Sequence, residues 1–298
     1  MKKKRNWKDI RNAFVMFCVM VAMLSTASFA WFTLTSSPTV TNLQMTAAAD
    51  GGLKISKDGT TYVNAIDLKD KSNGADANPW KLTPVSVKDA TANFYLPVYG
   101  ATEVTGLETS PLADNQLDGY VAKYEYWLKS EKGDVDVGII AANVTTLTGS
   151  IGIAADGSKA NLAGSFVRPS TVNTTSSAAE NAANAVRIGF HDGTKMYIYE
   201  PNQEQHTTGT VTRFLSPSVS IPTVDVASKT DGSFSTGAGT ATNTSKALFN
   251  VGEAGKKITM YIWLEGTDED CVDQIKTDEI EAQIQFTAIK GATGGTNP

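Results

Sequence analysis

The chain has 298 residues, 41% of them hydrophobic and 19% charged, with 31 Asp and Glu against 26 Lys and Arg. That acidity disfavours nucleic acid and anionic membrane as partners, because both would repel it. There are two cysteines, and Cys18 lies in an apolar N-terminal run, so a chain that loses this run keeps only Cys271 and has no intrachain disulfide.

Residues 1–30 read as a cleavable secretory signal peptide. A head with six Lys or Arg runs into the apolar stretch Phe14–Ala30, which is short for a membrane span. Ser28 and Ala30 place small side chains three positions and one position before a break between Ala30 and Trp31, as the narrow pocket of a signal peptidase requires. The mature chain then holds 20 basic and 30 acidic residues, a net charge of −10. An uncleaved anchor over Ala13–Phe32 is the alternative, and either way the bulk of the chain ends outside the cell. Membrane contact is expected only through the leader before cleavage, and the expected location is secreted or at the cell surface.

After the leader, short alternating apolar runs predict strands rather than helices. In chain order they are Leu43–Ala47, Gly52–Ser56 with an Asp58-Gly59 turn and Thr61–Val63, Phe94–Val98, Tyr120–Ser130 and Val135–Asn143. Ala185–Phe190 and Lys195–Tyr199 follow as a hairpin about His191-Asp192-Gly193, then Lys257–Leu264 and Glu279–Ile289. In the last, Ala282, Ile284, Phe286 and Ala288 share the face expected to be core, and Glu281, Gln283, Gln285 and Thr287 share the other, expected to be solvated. Thr175–Ala185 is the best helix, capped by Ser177 with Glu180 three residues on. Asp268–Ile275 reads as a short helical turn with Cys271 on its inner face, a buried thiol rather than an interchain bridge. The polar stretch Thr223–Ser245 predicts a long surface loop, and residues 291–298 a disordered tail. Together these predict an all-β fold with minor helix, an antiparallel β-sandwich of jelly-roll type over residues 31–290. Two smaller sandwiches divided near Gly164 or Asn173 would give much the same pattern.

Little in the sequence suits bond-making chemistry. The two histidines, His191 and His206, lie in a turn and a polar stretch, and no HExxH, GxSxG or phosphate-loop pattern occurs. The expectation is therefore a protein that is not an enzyme. Asp268, Asp270 and Asp273 form a calcium candidate, although the spacing departs from an EF-hand and loop solvation explains it as well. No other cofactor is expected. Aromatics at alternate strand positions, among them Tyr124, Tyr126, Trp127, Tyr261 and Trp263, read as core. Tyr197 and Tyr199 are the expected exception, exposed at a strand tip beside Pro201.

Lys2-Lys3-Lys4, the small residues Ser25–Ala30, the pair Trp31-Phe32 before Thr33, and the run Val40–Met45 resemble the TasA and camelysin family. These are biofilm-matrix proteins of Gram-positive bacteria with signal peptides of the SipW-dependent type, and the resemblance covers the leader and first strand only. It implies a jelly-roll subunit that self-associates into extracellular fibres, the freshly cut N-terminal segment entering a neighbour as a strand. On that expectation the donor carries Trp31, Phe32, Leu34, Val40, Leu43 and Met45, with Pro38 as a hinge. Signal peptidase is the other expected partner. The metalloprotease activity attributed to camelysin relatives is not expected, since no zinc-type ligand set stands in the sequence. A monomeric adhesin or carbohydrate-binding module is the competing function.

Overall fold

The computed structural model describes residues 38–47, 52–68, 80–89, 91–100, 104–140, 164–170, 182–199, 226–227, 234–236, 239–241, 248–268, 270–271, 275 and 278–289. The leader, Ala30, Trp31, Phe32, Leu34, Asp273, His206 and the tail lie outside the described residues.

Strands come first as β1 (Thr39–Ala47), β2 (Leu53–Ser56), β3 (Ala65–Asp67) and β4 (Trp80–Lys81). Four short strands follow, β5 (Ser86–Val87), β6 (Phe94–Tyr95), β7 (Pro97–Tyr99) and β8 (Val104–Leu107). The long strands β9 (Val121–Ser130) and β10 (Val135–Ile140) precede β11 (Phe166–Pro169) and the one-turn helix α1 (Ala182–Ala185). Then come β12 (Val186–His191), β13 (Met196–Tyr199), β14 (Val226–Ala227), β15 (Phe234–Thr236) and β16 (Gly239–Ala241). The chain closes with β17 (Phe249–Val251), β18 (Lys256–Leu264) and β19 (Glu279–Ile289).

Two sheets face each other. One has the order β16-β15-β14-β10-β19-β1-β3, with β11, β17 and β4 attached beside it, and the other the order β13-β12-β18-β9-β2. Alternation decides which side chains meet between them. Ala122, Tyr124, Tyr126 and Leu128 of β9 point in, as do Ile258, Met260, Ile262 and Leu264 of β18, against Ile280, Ala282, Ile284 and Phe286 of β19. Phe286 is the centre of this core, its ring 5.8 Å from Tyr126 and 5.7 Å from Phe190 on the opposite sheet. The all-β sandwich expected from the alternation is therefore present. Most pairs are antiparallel, but β1 runs parallel to β19 and β10 parallel to β14.

The five-stranded sheet carries a second layer on its outer face. Val85, Val87, Phe94 and Leu117 pack over Val121, Met196, Ile198, Tyr261 and Trp263, with Phe94 5.3 Å from the Trp263 ring. Both faces of β12, β13 and β18 are thus covered for much of their length, where a simple sandwich would leave one face wet. Gly189 permits this: a Cβ there would sit 2.6 Å from Met196 Sδ and 3.1 Å from the Trp263 ring. The polar stretch after Thr223 also departs from expectation, since β14, β15 and β16 extend the larger sheet where a loop was anticipated. Short ladders tolerate Ser, Thr and Gly when an existing strand edge templates them.

Candidate functional site: the first strand and its polar joint

β1 occupies the interior of the larger sheet. Eight register pairs tie it to β19 from Thr39↔Glu279 to Ala47↔Phe286, and β3 and β4 pair with its other edge. The register shifts between Val40 and Asn42, where one extra residue enters β1. This bulge moves the inward phase by one position, so that Val40 and then Leu43, Met45 and Ala47 all face the core. Those four are 4%, 1%, 0% and 6% exposed. Pro38 stays out of the ladder as donor, as its missing N–H dictates, yet its carbonyl accepts the Leu82 N–H at 2.8 Å.

Val40, Leu43 and Met45 were expected in a strand handed to a neighbour, and in the single chain they complete its own core. The reason is apolar area: fully burying three such side chains is worth roughly 5–8 kcal/mol in total, which a lone chain gains by folding β1 onto itself.

A chain of buried polar contacts leads from the start of β1 through α1 to the second sheet. Asp278, just before β19, accepts the Thr39 N–H at its carbonyl (3.0 Å) and the Ala182 N–H of α1 at Oδ2 (2.9 Å). The carbonyls of α1 are held in turn: Asn184 O accepts from Arg187 Nη1 at 3.1 Å, and Ala185 O from the Glu265 N–H at 2.8 Å. Arg187 Nη2 forms a buried ion pair with Asp268 Oδ2, the two side chains 1% and 3% exposed. Glu265 is fully buried and accepts from Trp263 Nε1 at 3.0 Å and from Thr267 Oγ1 at 2.7 Å. Burial holds its carboxyl above the usual range, against the opposing pull of the Arg187 charge. Cys271 is half-buried; burial pushes its thiol well up and the nearby Asp268 and Glu265 carboxylates add to it, so it is poorly disposed to ionise.

Of the calcium candidate only Asp268 and Asp270 lie among the described residues. Asp268 spends Oδ2 on Arg187 and Oδ1 on the Asp270 N–H (2.9 Å), leaving a cation to compete with a guanidinium already in place. Among the described residues no three His, Cys, Asp or Glu side chains gather as a metal-ligand set. Arg187 was not singled out from the sequence, though an Arg inside the apolar run Val186–Phe190 is the signal that could have found it.

Tyr197 and Tyr199 are also corrected. They are 7% and 4% exposed and face the main core, Tyr197 stacking edge-on to Phe249 at 6.5 Å. Of the other aromatics, Tyr126 and Trp263 are fully buried, while Trp127 is half-buried with Gly59 against one side of its indole and Lys257 Nζ 5.5 Å from the ring centroid. His191 sits beside the Asp192 turn and burial lowers its pKa, with the Asp192 charge opposing. Asp192 is itself partly buried, which raises its pKa, but the N–H and O–H donors of Thr194 and Lys195 and the Lys256 ammonium outweigh this and hold it well below the usual range.

No helix among the described residues is long and apolar enough to cross a membrane. Comparison with family models, with curated proteins and with solved structures gives no match to this chain.

Proposed function

We propose that this is an exported structural protein of the cell surface or biofilm matrix, whose copies join into fibres by exchanging the first strand. The observation that carries the reading is β1 itself, an N-terminal strand set between β19 and the β3–β4 edge with its apolar side chains in the core. A strand of identical sequence from a second copy would make the same ladder and the same core contacts. Exchange therefore sacrifices no contact, and growth is linear where each copy gives its strand to one neighbour and receives one from another, a head-to-tail contact that does not close.

The leader pattern supports export, and the export step supplies a time at which β1 has yet to close on its own sheet. That timing matters energetically. A closed monomer must expose Val40, Leu43 and Met45 to open, at roughly 5–8 kcal/mol, a large share of the roughly 5–15 kcal/mol that holds an ordinary domain folded. Deleting β1 outright would consequently unroof the core rather than yield a tidy monomer. The test is instead competitive. Electron microscopy of the mature chain beginning at Trp31 is expected to show filaments whose growth a synthetic peptide of residues 31–47 in excess arrests. Monomers that bind a glycan and never assemble would overturn the reading in favour of an adhesin.

A further inference from the structure

We propose that Asp278 and the α1 turn form a latch that sets how readily β1 leaves its own sheet; its use in assembly rests on the strand-exchange reading, whereas its physics does not. A parallel pair of strands opens from an end, and the end of β1 that an exchanging chain must free first is Thr39. The bond there is made to the carbonyl of Asp278, a residue outside the regular ladder. Asp278 is 6% exposed, and its position is fixed by its own N–H, which donates to the Ile275 carbonyl at 3.0 Å, and by its carboxylate, which accepts the Ala182 N–H at 2.9 Å.

Through α1 this anchoring reaches the second sheet. Asn184 and Ala185 are held by Arg187 of β12 and by Glu265 at the end of β18, so the carbonyl that receives β1 is braced by the sheet that β1 does not belong to. Removing the Asp278 carboxylate orphans a buried backbone N–H and frees the residue that supplies the first bond of β1. The rest of the β1–β19 ladder and the whole of the five-stranded sheet keep their partners. The structure thus assigns a local opening step to one side chain.

Hydrogen–deuterium exchange of the full mature chain, read by mass spectrometry, tests this. With Asp278→Ala, amides of β1 exchange about tenfold faster or more, the loss of one buried hydrogen bond, while those of β9 and β18 keep their wild-type rates. Asp278→Asn, whose amide oxygen still accepts, stays close to wild type. Ala182→Pro, which removes the donor at a helix position that tolerates proline, accelerates β1 as Asp278→Ala does and serves should that variant fold poorly. The proposal is overturned if β1 exchanges no faster in either variant, or if β9 and β18 accelerate equally, which would mark Asp278 as a general stabiliser. Faster exchange at β1 in a protein that never forms filaments keeps the latch and sinks strand exchange.

Discussion

Arg187→Met tests the buried joint most sharply. The substitution conserves much of the side chain's length and apolar stem but removes the cation that pairs with Asp268, at a place where the two side chains are only 1% and 3% exposed. Breaking a buried pair by deleting one partner leaves the other charge uncompensated and costs about 3–5 kcal/mol. Glu265 adds a pH dependence whose sign can be worked out. Its folded pKa lies above the ordinary carboxylate value because burial penalises the charged form, and the Arg187 charge is the largest of the effects that restrain the rise. A raised pKa contributes stability that is complete below the unfolded value, near pH 4.3, and is lost as pH climbs through the folded value. Without Arg187 the folded value rises further and the loss extends to higher pH. Urea denaturation followed by circular dichroism should therefore show the variant weakened by about 3–5 kcal/mol at pH 8 and by distinctly less at pH 5. A loss under about 1 kcal/mol, or one of equal size at both pH values, would refute the reasoning.

Tyr126 Oη is fully buried and has no hydrogen-bond partner among the described residues, so Tyr126→Phe removes an unpaid desolvation cost. Its thermal midpoint should equal or exceed that of the wild type, with a gain of about 1 kcal/mol, and a fall of that size would contradict the orphaned hydroxyl. Gly189→Ala drives a methyl into Met196 and Trp263, and since the Met196 terminus can swing aside the cost should be about 1–3 kcal/mol in the same denaturation assay. No change would mean the outer layer does not press on β12. The acid side is governed by other groups: Asp58 accepts the Thr61 and Thr60 N–H bonds and the Ser56 hydroxyl, which hold its pKa well below the usual range. A depressed pKa supports folding above the unfolded value of about 3.9 and fails as pH falls below it. Asp58→Asn should accordingly shrink the stability gap between pH 5 and pH 2.5, and an unchanged gap would count against the turn.

Much of the sandwich is legible because alternation is a local signal. β19 shows it best: Ala282, Ile284 and Phe286 point inward as the period-two pattern requires. What local pattern cannot express is a third layer. β18 buries Tyr261 and Trp263 on the face opposite Met260 and Ile262 because residues from Val85 to Leu117 fold back over it, a contact set by topology. The same ignorance of neighbours misplaced Tyr197 and Tyr199, where Pro201 signals the end of a strand but says nothing about what covers it. The acids at Asp268 and Asp270 were visible as a cluster, yet the partner of Asp268, Arg187, stands some eighty residues away in sequence and is brought to it by the pairing of β12 with β18. For β1 the apolar, extended character was legible at Val40–Met45, whereas its place between β19 and β3 is a long-range pairing that composition does not encode.

Strand exchange itself is tested most directly at Gln44 and Gln283, which face each other across the parallel β1–β19 pair. Cysteines placed at both positions in the chain beginning at Trp31, with Cys271→Ser to remove its one native thiol, can join β1 to β19 within one copy or between two. Oxidised as a monomer, the chain should be locked and form no filaments, and oxidised after assembly, filaments should give a ladder of covalent multimers under non-reducing conditions. Filaments from the locked monomer, or multimers that run as single chains after oxidation, would contradict the account.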